Sequence, residues 1–151
     1  EDIDNILLDS IDSDFKISYQ DILNASNELN NKSGLFKLTG GVHSCLYFHD
    51  QTNVYYEDIG RHNAVDKVVG YIELNNINPT NSYLISSGRI SSDMLIKCSI
   101  SKIPIVLSRS APTSLAVSLA EKLGITLIGF VRGNRFNVYT SNYRVVRWQN
   151  E

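Results

Sequence analysis

The stretch Ser82–Val131, "SYLISSGRISSDMLIKCSISKIPIVLSRSAPTSLAVSLAEKLGITLIGFV", repeats one rhythm of strand, hydroxyl-rich loop and helix. "SYLIS" is a short apolar run. Ser91 or Ser92 then stands where it can cap a helix to about Lys102, with Leu95 and Cys98 facing inward. Pro104 starts the strand "IPIVLS". Ser110 to Ser114 opens a second helix, with Leu115, Ala116, Leu119, Ala120 and Leu123 as its stripe and Gly124 as its stop. "ITLIGFV" closes the series. Strands alternating with helices at this spacing predict an α/β protein: a mostly parallel central sheet covered on both faces, three layers in all.

Outward from this unit the pattern weakens. Downstream, "RFNVYT" reads as an antiparallel or edge strand. Upstream, "YEDIGRHNAVDKVVG" (Tyr56–Gly70) carries Ala64, Val65, Val68 and Val69, and with Ile72 these repeat at helical spacing. Its polar residues allow i,i+4 pairs, His62 with Asp66 and Asn63 with Lys67. "TNVYYEDIG" and "LFKLTGGVHSCLYF" read as strands, the second around a Gly-Gly turn. Residues 1–35 are polar and acidic. They are expected to form a linker or partner-covered arm with a short helix from Ser18 to about Asn30, using Ile22, Leu23 and Leu29. Residues 36–151 are expected to be the α/β domain.

Composition sets outer limits. At 151 residues the chain can bury a proper core, and 42% hydrophobic with 20% charged residues is ordinary for a globular protein. A formal charge of -2 argues against non-specific nucleic-acid binding. The apolar runs are too short to span a bilayer, so no membrane association is expected and the cytoplasm is the default. Cys45 and Cys98, without a CxxC, make neither a disulfide framework nor a complete metal site.

In an open α/β sheet, ligands sit beyond the carboxyl ends of strands, against helix N-termini. That rule selects Ser87-Gly88-Arg89, Ser108-Arg109-Ser110 with Thr113, Arg132-Gly133-Asn134-Arg135, and Gly60-Arg61-His62-Asn63. All four segments carry arginine. Helix N-termini offer free N–H groups and arginine a bidentate fork, so their convergence would make a phosphate or pyrophosphate site. Any one loop is explained equally well by capping hydroxyls and a solvated arginine; four at corresponding ends are not. Gly40-Gly41 before His43 is either a close backbone approach to a ligand or a strand bulge. His43 and His62 are open to acid, base or ligand roles, or to plain hydrogen bonding. His49, beside Asp50 at a turn, is expected to be solvated. Cys45 and Cys98 lie where a thiol behaves as a small hydrophobe.

Taken together, "TGGVHSCLYF", "EDIGRHNAVDKVVG", "SSGRISSDMLIK" and "PIVLSRSAPTSLAVSLAEKLGITLIGFVRGNRFNVYT" resemble the formate dehydrogenase accessory sulfurtransferase family, FdhD/NarQ, in order and over about residues 36–140. The resemblance implies a cytidine-deaminase-like sandwich and sulfurtransferase activity. Sulfur would come as a persulfide from a cysteine desulfurase and pass to the molybdenum bis-guanine-dinucleotide cofactor of formate dehydrogenase, with GDP as a partial mimic. It implies cofactor contacts at Gly41, His43, Asp58, Arg61, His62, Asn63, Ser87, Gly88, Arg89, Ser108, Arg109, Ser110, Thr113 and Arg132. Glu57 and Asp58 would orient these groups or a guanine base. No catalytic residue and no metal ligand is assigned, and a homodimer is expected.

One departure stands out. The family's sulfur-carrying CxxC precedes the Gly-Gly-x-His segment, and this chain has none. The expectation is a fragment holding the cofactor-binding body without the persulfide carrier. Zinc deamination, suggested by the implied fold, does not fit: His43 has no Glu two residues on, and no Pro-Cys-x-x-Cys exists. A phosphosugar- or nucleotide-binding module of the sugar isomerase type shares the rhythm of Ser82–Val131. It has no counterpart to "GGVHSC" or "EDIGRHNAVDK".

Overall fold

A computed structural model describes residues 9–35 and 42–148. Its elements are β1 (Ile17–Ser18), α1 (Tyr19–Leu35), β2 (His43–His49), β3 (Thr52–Asp58), α2 (Arg61–Leu74), β4 (Tyr83–Ser86), α3 (Ser92–Ile100), β5 (Ile105–Ser108), α4 (Ser114–Leu123), β6 (Thr126–Arg132), β7 (Arg135–Val138) and β8 (Val145–Val146). Gly41 lies outside the described residues, as do the side chains of Arg61 and His62.

The six-stranded sheet runs β3-β2-β4-β5-β6-β7. It is mixed rather than mostly parallel. Only β4, β5 and β6 run parallel, while β2 is antiparallel to both β3 and β4, and β7 is antiparallel to β6. Loop length is the reason. His49 pairs with Thr52 and Arg132 with Arg135, so each flanking hairpin turns in two residues, too few for the crossover that a parallel pair needs. Asp50 and Gln51 adopt φ of 47° and 63°, and Gly133 of 56°, matching the twist of such hairpins.

The layers are as expected. Ala64, Val65, Val68, Leu95, Cys98, Ala116, Leu119 and Leu123 pack α2, α3 and α4 on one face, against Tyr47, Leu84, Val106 and Leu127. Ile22, Ala25 and Leu29 pack α1 on the other, against Leu46, Ile85, Leu107 and Ile128. The caps follow the sequence. Ser91 and Thr113 accept the N–H groups of Met94 and Ala116, and Gly124 ends α4 in the left-handed region. Leu115, expected in the α4 stripe, is instead exposed, because that face is completed by Ala116, Leu119, Ala120 and Leu123.

Helix α1 starts on a reciprocal cap. Asp21 N donates to Ser18 Oγ (3.1 Å) and Ser18 N to Asp21 Oδ2 (3.2 Å). Before it, the described part of the stretch read as a linker or partner-covered arm anchors its apolar residues in its own chain. Ile11 and Ile17 are buried, and β1 pairs parallel with β8. The fastener is Arg144, fully buried. Its Nε donates to Ser13 O (2.9 Å), Nη1 to Gly124 O (2.6 Å), Pro104 O (3.1 Å) and Thr126 Oγ1 (3.2 Å), and Nη2 to Ile11 O (3.3 Å). Carbonyl dipoles replace the carboxylate that a buried cation usually requires. Among the described residues, no helix is long and apolar enough to cross a membrane.

Candidate functional site

Strand directions bring the carboxyl ends of β3, β4, β5 and β6 and the amino end of β2 to one edge of the sheet. His43 pairs with Asp58 there, and Cys45 with Ser86. The expected segments therefore share one rim.

Hydroxyls lace that rim together. Ser87 N donates to Ser44 O (2.9 Å) and Ser44 N to Ser87 Oγ (3.0 Å), clamping the loop after β4 to β2. Ser108 Oγ donates to Gly88 O (2.7 Å) and accepts from Ser110 N (2.9 Å), while Ser110 Oγ donates to Ser87 O (3.3 Å). Gly88 N donates to Ser86 Oγ (3.2 Å). Thr113 caps α4 and donates its N–H to Ile90 O (3.2 Å). The serines and threonine expected as ligand contacts thus have structural partners that fix the loops.

The arginines do the same with one nitrogen each. Arg89 Nε donates to Ala111 O (3.3 Å) and Arg132 Nε to Arg109 O (3.0 Å). Both residues are exposed. Arg109 differs: its Nε is buried and has no hydrogen-bond partner. A buried guanidinium N–H without an acceptor is costly, and an anion at the rim would satisfy it.

At β3 the chain turns into α2 through Asp58. Asp58 Oδ1 accepts from Gly60 N (3.0 Å) and Asn63 Nδ2 (3.3 Å), and Oδ2 lies 3.2 Å from Lys67 Nζ. Gly60 gives α2 no side-chain cap. The Gly60 N–H above all, then Asn63 and Lys67, hold the Asp58 carboxyl below its ordinary value. Its contribution to stability is therefore full above the unfolded value of 3.8 and is lost as pH falls through the lowered folded value. Asp58→Asn is expected to melt earlier than the wild type at neutral pH, with the two curves converging below pH 3.8 in a thermal series.

The Asn63–Lys67 pair expected on α2 is replaced by a tertiary one, while the His62 side chain of the other expected pair lies outside the described residues. Lys67 reaches back to Asp58 and to Glu57 O (2.9 Å), and Asp66 meets Lys97 of α3 at 2.7 Å. His49 is packed rather than solvated. Its side chain is 9% exposed, stacks on Tyr47 and meets Tyr71 Oη at 2.9 Å through Nε2. Cys45 and Cys98 are buried, and burial pushes both thiols up to about 12, which suits small hydrophobes and not nucleophiles.

A second polar row was visible in the sequence only at Glu57. On the α1 face, Tyr55 Oη donates to Glu57 Oε2 (2.7 Å) and lies 3.3 Å from Ser33 Oγ, which is 3.1 Å from Ser44 Oγ. Period-2 alternation places Tyr55 and Glu57 on one face, but their meeting with Ser33 depends on α1 docking. Two clefts among the described residues, of about 510 and 450 Å³, lie elsewhere. Phe15, Asp21, Phe48, Asp50 and Tyr83 line the first, and Glu121, Tyr139 and Ser141 the second.

Comparison with known proteins gives this rim a lineage. The sequence profile of the FdhD/NarQ family matches residues 2–146. The chain is 43% identical over 134 residues to the sulfur carrier protein FdhD of Sulfurisphaera tokodaii, covering 87% of this chain and 52% of that protein. It is 45% identical over 138 residues to the FdhD of Thermoplasma acidophilum (90% and 49%) and 44% identical over 134 residues to that of Bacillus subtilis (88% and 51%). It thus spans about half the length of these relatives. A crystal structure of a candidate formate dehydrogenase accessory protein from Desulfotalea psychrophila superposes with a TM-score of 0.81 at 38% identity, covering 89% of this chain and 61% of that one. The laced rim is therefore carried on a shared fold as well as a shared sequence, and the chain belongs to the FdhD/NarQ family.

Proposed function

We propose that this chain forms the cofactor-holding body of a sulfur carrier that serves formate dehydrogenase. In this reading a cysteine desulfurase supplies persulfide sulfur, and the rim holds the molybdenum bis-guanine-dinucleotide cofactor while sulfur is delivered. The protein acts in the cytoplasm as a homodimer, on a sandwich related to the cytidine-deaminase fold. The persulfide carrier itself is not among these residues, since both thiols are buried and there is no CxxC.

The observation that carries the reading is Arg109. Its unpartnered buried Nε lies in a loop tied on one side to the β4 loop through Ser108 and Ser110, and on the other to Arg132. Diphosphate oxygens would complete it, with the backbone start of α2 as a further anion donor. The serine lacing fixes these donors before the ligand arrives, so little ordering cost remains on binding. When bound, the cofactor supplies the metal that accepts sulfur; the chain's own residues bind, orient and shield it.

Calorimetry with GDP tests this. The wild type is expected to bind GDP, and Arg109→Ala and Arg61→Ala to weaken it about 10- to 100-fold, the worth of a hydrogen bond to a charged group. Unchanged affinity in both variants would sink the proposal. Phosphosugars in the same titration separate it from the sugar isomerase reading, which predicts that they bind in preference to GDP.

A further inference from the structure

We infer that Glu57 reads the donor edge of the ligand's ring, the 2-amino group and the adjacent ring N–H (N1–H in guanine, N3–H in a pterin) that guanine and pterins share. The inference rests on the nucleotide reading of the rim and gives it a specificity determinant.

Of the acids Glu57, Asp58 and Asp66 around this end of the sheet and the helix that leaves it, two are committed. Asp58 is held by Gly60 N, Asn63 and Lys67, and Asp66 by Lys97. Among the described residues, Glu57 is engaged by one side chain, the Tyr55 hydroxyl, at Oε2. A carboxylate has about four lone-pair positions, so capacity remains for two parallel N–H donors. The surroundings fix the group for that task. Burial above all, with the Glu57 carboxylate adding to it, holds the Tyr55 phenol above its ordinary value despite the Ser33 contact, so the phenol keeps its proton and stays a donor to Glu57. Ser33 and Ser44 brace Tyr55 from α1 and β2. Glu57 sits opposite Ser44, whose own backbone is clamped to Ser87 of the β4 loop. From β3 to β5, whose loop carries Arg109, is three strand spacings, about 14 Å, comparable to the reach of an extended nucleotide from its base edge to its terminal phosphate.

Pairing a carboxylate with N1–H and the 2-amino group discriminates sharply. Inosine diphosphate lacks the amino donor, and ADP presents an N1 acceptor that a carboxylate repels. Loss of one hydrogen bond to a charged group lowers affinity about tenfold or more.

The test is a matrix of calorimetric titrations with GDP, inosine diphosphate, ADP and a free pterin against wild type, Glu57→Gln and Tyr55→Phe, with thermal melting as the folding control. The wild type is expected to prefer GDP over inosine diphosphate about tenfold. The isosteric Glu57→Gln should abolish that preference while leaving inosine diphosphate within about threefold, and Tyr55→Phe should reduce it in part. Binding of the free pterin with the same Glu57 dependence would assign the edge to the pterin half of the cofactor, and its absence would assign it to guanine. GDP bound by the wild type without preference over inosine diphosphate, or a preference that survives Glu57→Gln, overturns the inference and leaves the nucleotide site standing. No GDP binding at all by the folded wild type overturns the nucleotide reading itself.

Discussion

Arg144→Met is expected to lower stability by about 3–5 kcal/mol, the cost of breaking a buried charged network. For a domain of this size that corresponds to a melting temperature lower by roughly 10 °C. The effect is large because the loss falls on the carbonyls as much as on the arginine. Ile11, Ser13 and Gly124 would each retain a carbonyl with its arginine donor removed, and Pro104 O would keep only Thr126 N. Methionine approximates the apolar stem and supplies none of those donors. Arg144→Lys should recover little, since one ammonium cannot follow the spread of a planar fork. Burial pulls the guanidinium below its ordinary value, yet arginine still keeps its proton at any pH the protein tolerates. The loss should therefore show little dependence on pH. Denaturant melts read the effect, and an unchanged midpoint would mean that water substitutes for the guanidinium without cost.

Gly129→Ala is expected to act on stability and on ligand binding together. A Cβ at Gly129 would stand 2.9 Å from Tyr139 Cε2, 3.0 Å from Pro112 Cδ and 3.2 Å from Ser110 O. Overpacking of this kind costs about 1–3 kcal/mol. The ring of Pro112 and the carbonyl of Ser110 belong to the loop that carries Arg109, and Ser110 O also accepts from Phe130 N (3.2 Å). The Tyr139 ring would have to turn aside, and relief of the other two contacts moves that loop outward, which shifts Arg109 relative to Arg132. GDP affinity should fall with the melting temperature. A destabilised variant with unchanged GDP affinity would remove the β5 loop from the site.

How far the sequence carried these conclusions depends on the range of the interactions involved. The segment from Tyr83 to Val138 was legible because its signals are local: apolar runs of strand length, hydroxyl caps at Ser91 and Thr113, and a glycine stop at Gly124. The shared rim followed from the rule for α/β sheets, and strand direction placed its loops together. Strand polarity was less legible, because alternation carries no direction. The two-residue hairpin at Asp50–Gln51 and the antiparallel β2 made an expected mostly parallel sheet mixed, while β7 after Gly133–Asn134 is the antiparallel edge strand that was expected. The contribution of residues 9–35 was hidden for a different reason. Helix α1 was read from Ile22 and Leu29 and also buries Ala25 and Ser26, but the arm before it is secured by Arg144, a charged residue outside any apolar period. Long-range pairing also displaced local pairing: Lys67 meets Asp58 rather than Asn63, and Asp66 meets Lys97 of α3.

The β1–β8 pairing joins Ile17 to Val145 and Ser18 to Val146, and Arg144 joins Ser13 to a residue 131 positions later. A ribosome extends the chain from one end, so the early residues exist long before their partners. Until Arg144 emerges, Ile11 and Ile17 have only a half-built surface to cover them, and closing so long a loop is slow. The emergence of Arg144 and Val145 therefore acts as a quality gate for the arm. A chain stalled short of Arg144 would display its arm as an extended apolar segment, the signal by which chaperones and proteases recognise unfinished proteins.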